Sequence, residues 1–542
     1  MAAAMTATDV LVIGAGLVGL TLAVDLGRRG VRCTLIESKA APAFIPKMER
    51  CNARTMEIFR RMGLANRIRA AGLRADVPMD VYVVLAMNEP PLLRLPYPSV
   101  SEARSRIAGC TDGSMPLEPY QLISQYTLEP LLKSIAESLP SVTVRYGCEF
   151  LELTQDADGV TATVQAGDGH AKAIRAAFVV GCDGGSSAVR KQVGIRLQGE
   201  GDLLRLFQAL YLCPALFDMI PIGAGPGHGR HYHVADDKAT FLIMQDSTRH
   251  WTLHATLERP EDMAAQFELA VGVPVDYQML YAGQWKQNLL LADRYRDGRV
   301  FLAGDSAHLV IPTGGLGMNT GVGDAIDLSW KLHAILAGWG GTALLDSYEV
   351  ERRQVGDRNV AASRYASLGR RAWRSQYRPD IRDATPSGQA ARDRLAEVAN
   401  IEQRKTNEMV GAELGYRYVG SPVIADEPNG PAHRFREYVP TTWPGSRLPH
   451  VWRQDGSALH DGIPDGYTLL RLGTTRADTS ALERAMAATG APFRTLTIDD
   501  APPRDVYGYD LILVRPDLHV VWRGNQPPDD ARQLAALVTG LR

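Results

Sequence analysis

Near its start the chain carries a short unbroken apolar run, Asp9-Val-Leu-Val-Ile13. It is too short for a helix and lacks polar alternation, so it predicts a strand buried on both faces. Gly14-Ala-Gly16-Leu-Val-Gly19 follows, and Leu20, Ala23 and Leu26 recur at helical spacing until Gly30. Val31-Arg-Cys-Thr-Leu-Ile36 repeats the strand pattern and ends at Glu37, so the amino-terminal segment reads as a βαβ unit. The same punctuation returns far downstream. Arg299-Val-Phe-Leu-Ala303 is a strand, Gly304 a turn, and the glycine-rich Pro312–Asn319 runs into a helix continuing through Asp324–Leu332. Between these, His231-Tyr232-His233 alternates so that both imidazoles of a strand point to one face. The glycines of Gly223–Gly229 carry a proline where a helix would start, which predicts a hairpin tip rather than a second nucleotide site. Residues 370–430 read as helices leading to a linker at Pro422–Pro431. From Pro444 onward the pattern is strand, helix, strand: Tyr467–Leu472, Thr479–Thr489, Leu511–Asp517 and His519–Gly524.

A length of 542 residues exceeds what one core supports, so several domains are expected. Hydrophobic residues at 45% and charged residues at 22% describe an ordinary soluble globular chain. A formal charge of −2 without a long basic run excludes the electrostatic footprint of a nucleic-acid binder and points to a small-molecule partner. The opening residues lack a basic segment and the first apolar run is soon broken by glycine, so neither a signal peptide nor a membrane span is expected, and the location is expected to be cytoplasmic. Cys33, Cys51, Cys110, Cys148, Cys182 and Cys213 form no C-x-x-C pair, which argues for reduced thiols and against structural zinc; no metal site is expected.

Glycine is required at particular points of the first turn: Gly14 for its tightness, Gly16 for close backbone approach to a pyrophosphate, Gly19 for helix–strand packing. Free N–H groups at the helix start then bind phosphate, and Glu37 accepts hydrogen bonds from ribose. This unit alone fits either FAD or NAD(P). The second cluster brings backbone N–H groups and a helix N-terminus onto something flat and anionic, as a reduced isoalloxazine is, while Asp305 suits a polyol such as a ribityl chain.

Three motifs in order now carry a resemblance: Gly14-x-Gly16-x-x-Gly19 with Glu37; Cys182-Asp183-Gly184-Gly-Ser-Ser187-Ala-Val-Arg190; and Arg299–His308 with Pro312-x-Gly314-Gly315-x-Gly317-x-Asn319. With Leu345-Asp-Ser-Tyr348-Glu-Val-Glu351-Arg352, they make the chain resemble the class A flavoprotein aromatic hydroxylases, the p-hydroxybenzoate hydroxylase and phenol hydroxylase group. The resemblance implies an α/β and α+β architecture. A Rossmann-like FAD-binding domain, discontinuous over about 1–80, 105–190 and 285–375, would hold an inserted, mostly antiparallel-sheet substrate domain from about 80–105 and 190–285. A helical connector and linker over 376–440 would lead to a thioredoxin-like domain over 441–542. That tail contains no cysteine, so dithiol chemistry is excluded and a structural or dimerising role, with a homodimer as the assembly, is expected.

For the cofactor, the resemblance implies contacts from Gly14, Gly16, Leu17, Val18, Gly19, Glu37 and Ser38, and from Gln125. Asp183, Gly184 and Arg190 would lie near the FAD pyrophosphate and the path of NAD(P)H, and Gly304, Asp305, Pro312, Gly315, Leu316, Gly317, Met318 and Asn319 would face the flavin. Relatives carry Pro-Arg where this chain has Pro46-Lys47, so the phosphate-reaching cation is Lys47 or Arg50. The implied reaction has NADPH or NADH reduce FAD, and O2 then form a flavin C4a-hydroperoxide whose distal oxygen passes to a phenolic ring. Glu49 aligns with an acid that some relatives place near the substrate hydroxyl; the alternative is a solvated glutamate between Lys47 and Arg50. Arg50, His231 and His233 complete the catalytic candidates, and His308 is read as part of the flavin loop. No Trp-x-Trp-x-Ile-Pro segment of flavin halogenases is present. An epoxidase, a Baeyer–Villiger enzyme and a non-catalytic flavin-fold binding protein stay open as alternatives.

Overall fold

Val10, Leu11 and Val12 are fully buried because their strand, Thr6–Ile13, lies at the centre of a parallel sheet, between Cys33–Glu37 and Ala171–Gly181. The computed structural model describes residues 6–47, 49–167, 169–220, 230–474 and 477–542. In strand order this first sheet runs Val142–Tyr146, Cys33–Glu37, Thr6–Ile13, Ala171–Gly181 and Val300–Leu302, all parallel. Arg296–Asp297 closes one edge, and Cys148–Gln155 and Val160–Ala166 add an antiparallel ribbon. The carboxyl ends of Thr6–Ile13, Ala171–Gly181 and Val300–Leu302 therefore lie side by side, where open α/β sheets bind ligands.

The second sheet has eight strands: His308–Leu309, Gln278–Ala292, Leu197–Leu212, His250–Ala255, Phe241–Met244, His231–Val234, Val81–Val84 and Leu93–Leu95. All neighbours are antiparallel except the parallel pair His231–Val234 and Val81–Val84. Alternation divides the side chains. Tyr232, Leu242, Leu253 and Ala209 enter an apolar core under Met263, Phe267 and Ala270 of the helix Met263–Val271. His233, Phe241, His254 and Gln208 form a row across the other face, because each is the direct cross-strand partner of the next. The Gly223–Gly229 segment lies outside the described residues.

Helix Ala343–Arg374 spans the molecule, and the helices Pro386–Glu402 and Val410–Leu414 follow it. The carboxyl-terminal sheet has the order Phe493–Ile498, Tyr467–Leu472, Leu511–Val514, Val520–Gly524, with the first pair parallel and the others antiparallel. Its helices are Ser480–Ala488, Ala501–Tyr507 and Ala531–Val538. This unit shares one apolar core with the preceding part of the chain, where Trp330, Trp339 and Leu344 pack with Tyr467, Leu469 and Leu511. Among the described residues no helix is long and apolar enough to cross a membrane.

Candidate active site

A cleft of about 690 Å3 opens at the carboxyl ends of the parallel strands, within the range typical of ligand sites. Gly14 shapes one wall: its φ of +105° and the closeness of the Cys182 carbonyl oxygen exclude a side chain. Gly19 packs against the Gly14 carbonyl and does not line the cleft, which is the helix–strand contact expected of it. Two helices, Leu17–Arg28 and Gly317–Leu336, begin at the cleft, and neither N-terminus has a side-chain cap. Their first N–H groups are thus left for a ligand, and the dipoles favour an anionic one.

The side chains around this cradle divide into committed and free. Glu37 accepts from Ala15 N at 2.9 Å and Lys39 N at 3.0 Å, tying two cleft loops together beside Ser38. Gln125 donates to Glu129 at 2.6 Å, and burial raises the Glu129 carboxyl above its usual value. Asn319 accepts from Asn52 N at 2.9 Å and donates to Gly315 O at 2.7 Å, so it clamps the cleft loops. Leu17, Val18, Gly16, Gly184, Pro312, Gly315, Gly317 and Met318 line the wall. Among the described residues, Asp305 and Lys47, both solvent-exposed, project into the cleft without a side-chain partner; desolvation by the surrounding walls raises the Asp305 carboxyl, opposed by His308 and Lys47.

Several residues stand elsewhere than the motif alone suggests. Asp183 lines the cleft, yet its carboxylate accepts from Ser187 Oγ at 2.5 Å, Ala188 N at 2.7 Å and Val189 N at 3.1 Å, capping the following helix. Arg190 is buried away from the cleft and donates to Ser306 O at 3.0 Å and Gly185 O at 2.9 Å, bracing the loop from behind. Gly304 packs on Val18, and Leu316 packs on Ala362, Ala366 and Met409; neither lines the cleft. His308 shares Asp324 with Arg352 and the Gly304 N–H, at 2.8, 2.8 and 3.1 Å, which holds the Gly304 turn in place.

Arg50 donates to Gly314 O at 3.0 Å and reaches Glu413 at 3.5 Å, so its guanidinium supports the second glycine turn. Lys47 is then the uncommitted cation of the pair. Glu49 stands where the cleft meets the polar face of the second sheet. It pairs with the buried Arg230 and lies 3.6 Å from His231 Nε2. Burial would raise its carboxyl, but Arg230, His231 and Arg50 outweigh that and hold it well below the usual carboxylate range, so it is an anion and a poor proton acceptor. Burial, aided by Arg230, pushes His231 down to about 3, leaving a neutral imidazole. His233 lies behind it, rings 5.9 Å apart, and is also neutral through burial.

Neither Arg230, Trp285 nor Arg370 stood out in the sequence, yet all converge on this face beside His254. His254 stacks on Phe241 at 4.5 Å, Trp285 meets His254 edge-on at 5.8 Å, and the Arg370 guanidinium covers Phe241 at 4.9 Å. Only the cross-strand alternation of the histidines gave any signal of the wall they complete.

The residues fit FAD. The fit rests on the glycine cradle, two uncapped helix N-termini, and unpaired Asp305 and Lys47. Comparison with known proteins agrees. Residues 7–363 match the family described as "FAD binding domain", and residues 441–541 match "Aromatic-ring hydroxylase, C-terminal". The chain is 33% identical to aklavinone 12-hydroxylase RdmE of Streptomyces purpurascens, across 97% of each protein. It superposes on the rebeccamycin biosynthetic enzyme RebC with reduced flavin at a TM-score of 0.90, with 30% identity, covering 99% of this chain and all of that one. A ternary complex of aklavinone-11 hydroxylase with FAD and aklavinone matches at a TM-score of 0.82 and 29% identity, covering 98% and 99% of the two chains.

Proposed function

The chain belongs to the FAD-dependent aromatic-ring hydroxylases, and on that premise we propose that it is an NAD(P)H-consuming monooxygenase that hydroxylates a phenolic, multi-ring aromatic compound. One observation carries this reading. Glu49 and Arg50 belong to the wall of the FAD cleft, and Glu49 pairs with Arg230 and touches His231 of the second sheet, so the cofactor cleft and the aromatic face share a border. Bound in the cleft, FAD supplies electron transfer from NAD(P)H and activation of O2.

The protein's own residues do the rest. The N-termini at Leu17 and Gly317 take the pyrophosphate and the flavin's electron-rich edge, Asp305 takes the ribityl hydroxyls, and Lys47 neutralises phosphate. Phe241 and His254, stacked nearly parallel, with Trp285 edge-on to His254, offer an aromatic wall. His231, with Glu49 toward Nε2, has Nδ1 without a partner among the described residues; a phenol donating to that nitrogen becomes more electron-rich at the ring. Glu49 acts through His231, orienting it and stabilising any positive charge it gains. The carboxyl-terminal unit, read as thioredoxin-like, serves as a brace. The test is NAD(P)H oxidation by FAD-loaded protein with single-ring, naphthol-sized and polyketide-sized phenols. Stimulation by one class, with hydroxylated product, is the expected result. Tight FAD with no stimulation by any phenol would overturn the reading.

A further inference from the structure

The aromatic face carries more polar capacity than the protein itself satisfies. Among the described residues, His231 Nδ1, His233 Nε2, His254 Nδ1, Trp285 Nε1, Gln287 Oε1 and Arg370 Nε are buried without a hydrogen-bond partner. Buried polar atoms of native proteins are paired in the great majority, so a contiguous run of orphans marks a place where a ligand completes the bonding.

The charges narrow the ligand. Four arginines surround the face, and three are committed. Arg230 is held by Glu49, and Arg50 by Gly314 O and Glu413. Arg374 donates to Val234 O at 3.2 Å and Thr240 O at 2.8 Å, with Asp236 at 3.8 Å. Arg370, one helical turn before Arg374, has neither a carboxylate nor a carbonyl among the described residues and lies only over the Phe241 ring. Burial, then Arg374, push its guanidinium down to about 9, and the Glu49 carboxylate, beyond ion-pair distance and already paired with Arg230, only partly opposes them. The histidines cannot supply one, because they are neutral acceptors or donors at most.

Resting on the hydroxylase reading, we infer that Arg370 is a specificity-determining residue that receives an oxyanion, a carboxylate or an ionised phenol, carried on the flat ring system of the substrate. A guanidinium presents two parallel N–H donors that match such a group, and each charge-assisted bond is stronger than a neutral one.

The test uses FAD-loaded protein near neutral pH and flavin difference spectra for four probes: 2-naphthoate, methyl 2-naphthoate, 4-nitro-1-naphthol (ionised) and 1-naphthol (neutral). Wild type should bind at least one anionic probe about tenfold or more tighter than its neutral counterpart, the size of one charged hydrogen bond. Preference for naphthoate identifies a carboxylate, and preference for the nitronaphtholate identifies a phenolate. Arg370→Met should erase the preference while keeping affinity for the neutral probe and FAD content, and Arg370→Lys should restore part of it. A preference retained in Arg370→Met, or none in wild type, overturns the assignment. NAD(P)H oxidation measured with the single-ring, naphthol-sized and polyketide-sized phenols separates the two readings: anion preference without stimulation by any phenol of that series would defeat the hydroxylase reading and leave Arg370's role standing.

Discussion

Helix Ala343–Arg374 carries a buried polar cluster near each end, and the two are built on opposite principles. Near its start, Glu351 accepts from Arg515 at 2.8 and 2.9 Å and from Lys331 at 2.7 Å; Arg515 also binds Asp327 at 2.9 Å and Asp517 at 2.8 Å. Every nitrogen of Arg515 is used. Near its end, Arg370 and the histidines of the second sheet leave donors and acceptors open. Both clusters withdraw charge from water, which costs several kcal/mol per ion unless partners restore the loss. The first cluster closes on itself and joins the carboxyl-terminal unit to the FAD-binding part. The second is completed only from outside. Satisfaction of buried polar atoms therefore separates the brace from the site better than residue type does, since both contain arginine and carboxylate.

The largest effect should come from opening the closed cluster. Arg515→Met leaves Asp327, Glu351 and Asp517 facing one another with Lys331 as their nearest cation, and should cost about 3–5 kcal/mol in urea unfolding. A loss below about 1 kcal/mol would end the contrast, because the network would then be no more structural than the polar face around Arg370.

A second contact of the brace is readable through pH. Arg447 donates to Glu57 Oε2 at 2.7 Å and holds the Glu57 carboxyl down at about 2 against the pull of burial. A depressed carboxyl stabilises the fold above its unfolded value near 4.5, and that contribution is lost as pH falls toward 2. The shift corresponds to about 3 kcal/mol. Glu57→Gln should flatten stability against pH between about 4.5 and 2; an unchanged slope would show that other carboxyls carry it.

How much of this was readable beforehand follows from sequence distance. The cleft was legible because backbone geometry demands glycine at Gly14 and Gly19, and such demands are local. The shared face of His231 and His233 was legible because strand alternation is local too. Arg370, Trp285 and Arg515 were not, since their partners come from other elements brought together only by the fold. Asp183 and Arg190 show the reverse limit: the motif placed them near the ligand, but their side chains are occupied by a helix cap and a loop carbonyl.

Within the open region, Asp305 offers the next effect. Its carboxylate has no hydrogen-bond or ion-pair partner among the described residues to lose, so Asp305→Ala should leave the unfolding of FAD-free protein unchanged and weaken FAD by about tenfold or more, the worth of a charged hydrogen bond. Full flavin retention after gel filtration at low concentration would remove Asp305 from the cofactor site.

The smallest effect at neutral pH should be His254→Phe, and its sign matters more than its size. The phenyl ring keeps the stack on Phe241 and removes a nitrogen that the protein leaves unpaired, so near pH 7 stability should change by less than about 1 kcal/mol and not fall. Burial holds His254 at about 3 in the folded state against about 6.5 when unfolded. The unfolded chain therefore takes up a proton first as pH drops below 6.5, and wild type loses stability there. Phenylalanine escapes that loss. The advantage of the variant should grow to about 2 kcal/mol at pH 5, while its affinity for aromatic probes declines through the missing acceptor. A variant that unfolds more readily than wild type at every pH would mean that His254 is paired in solution, and the second region would then be built like the first.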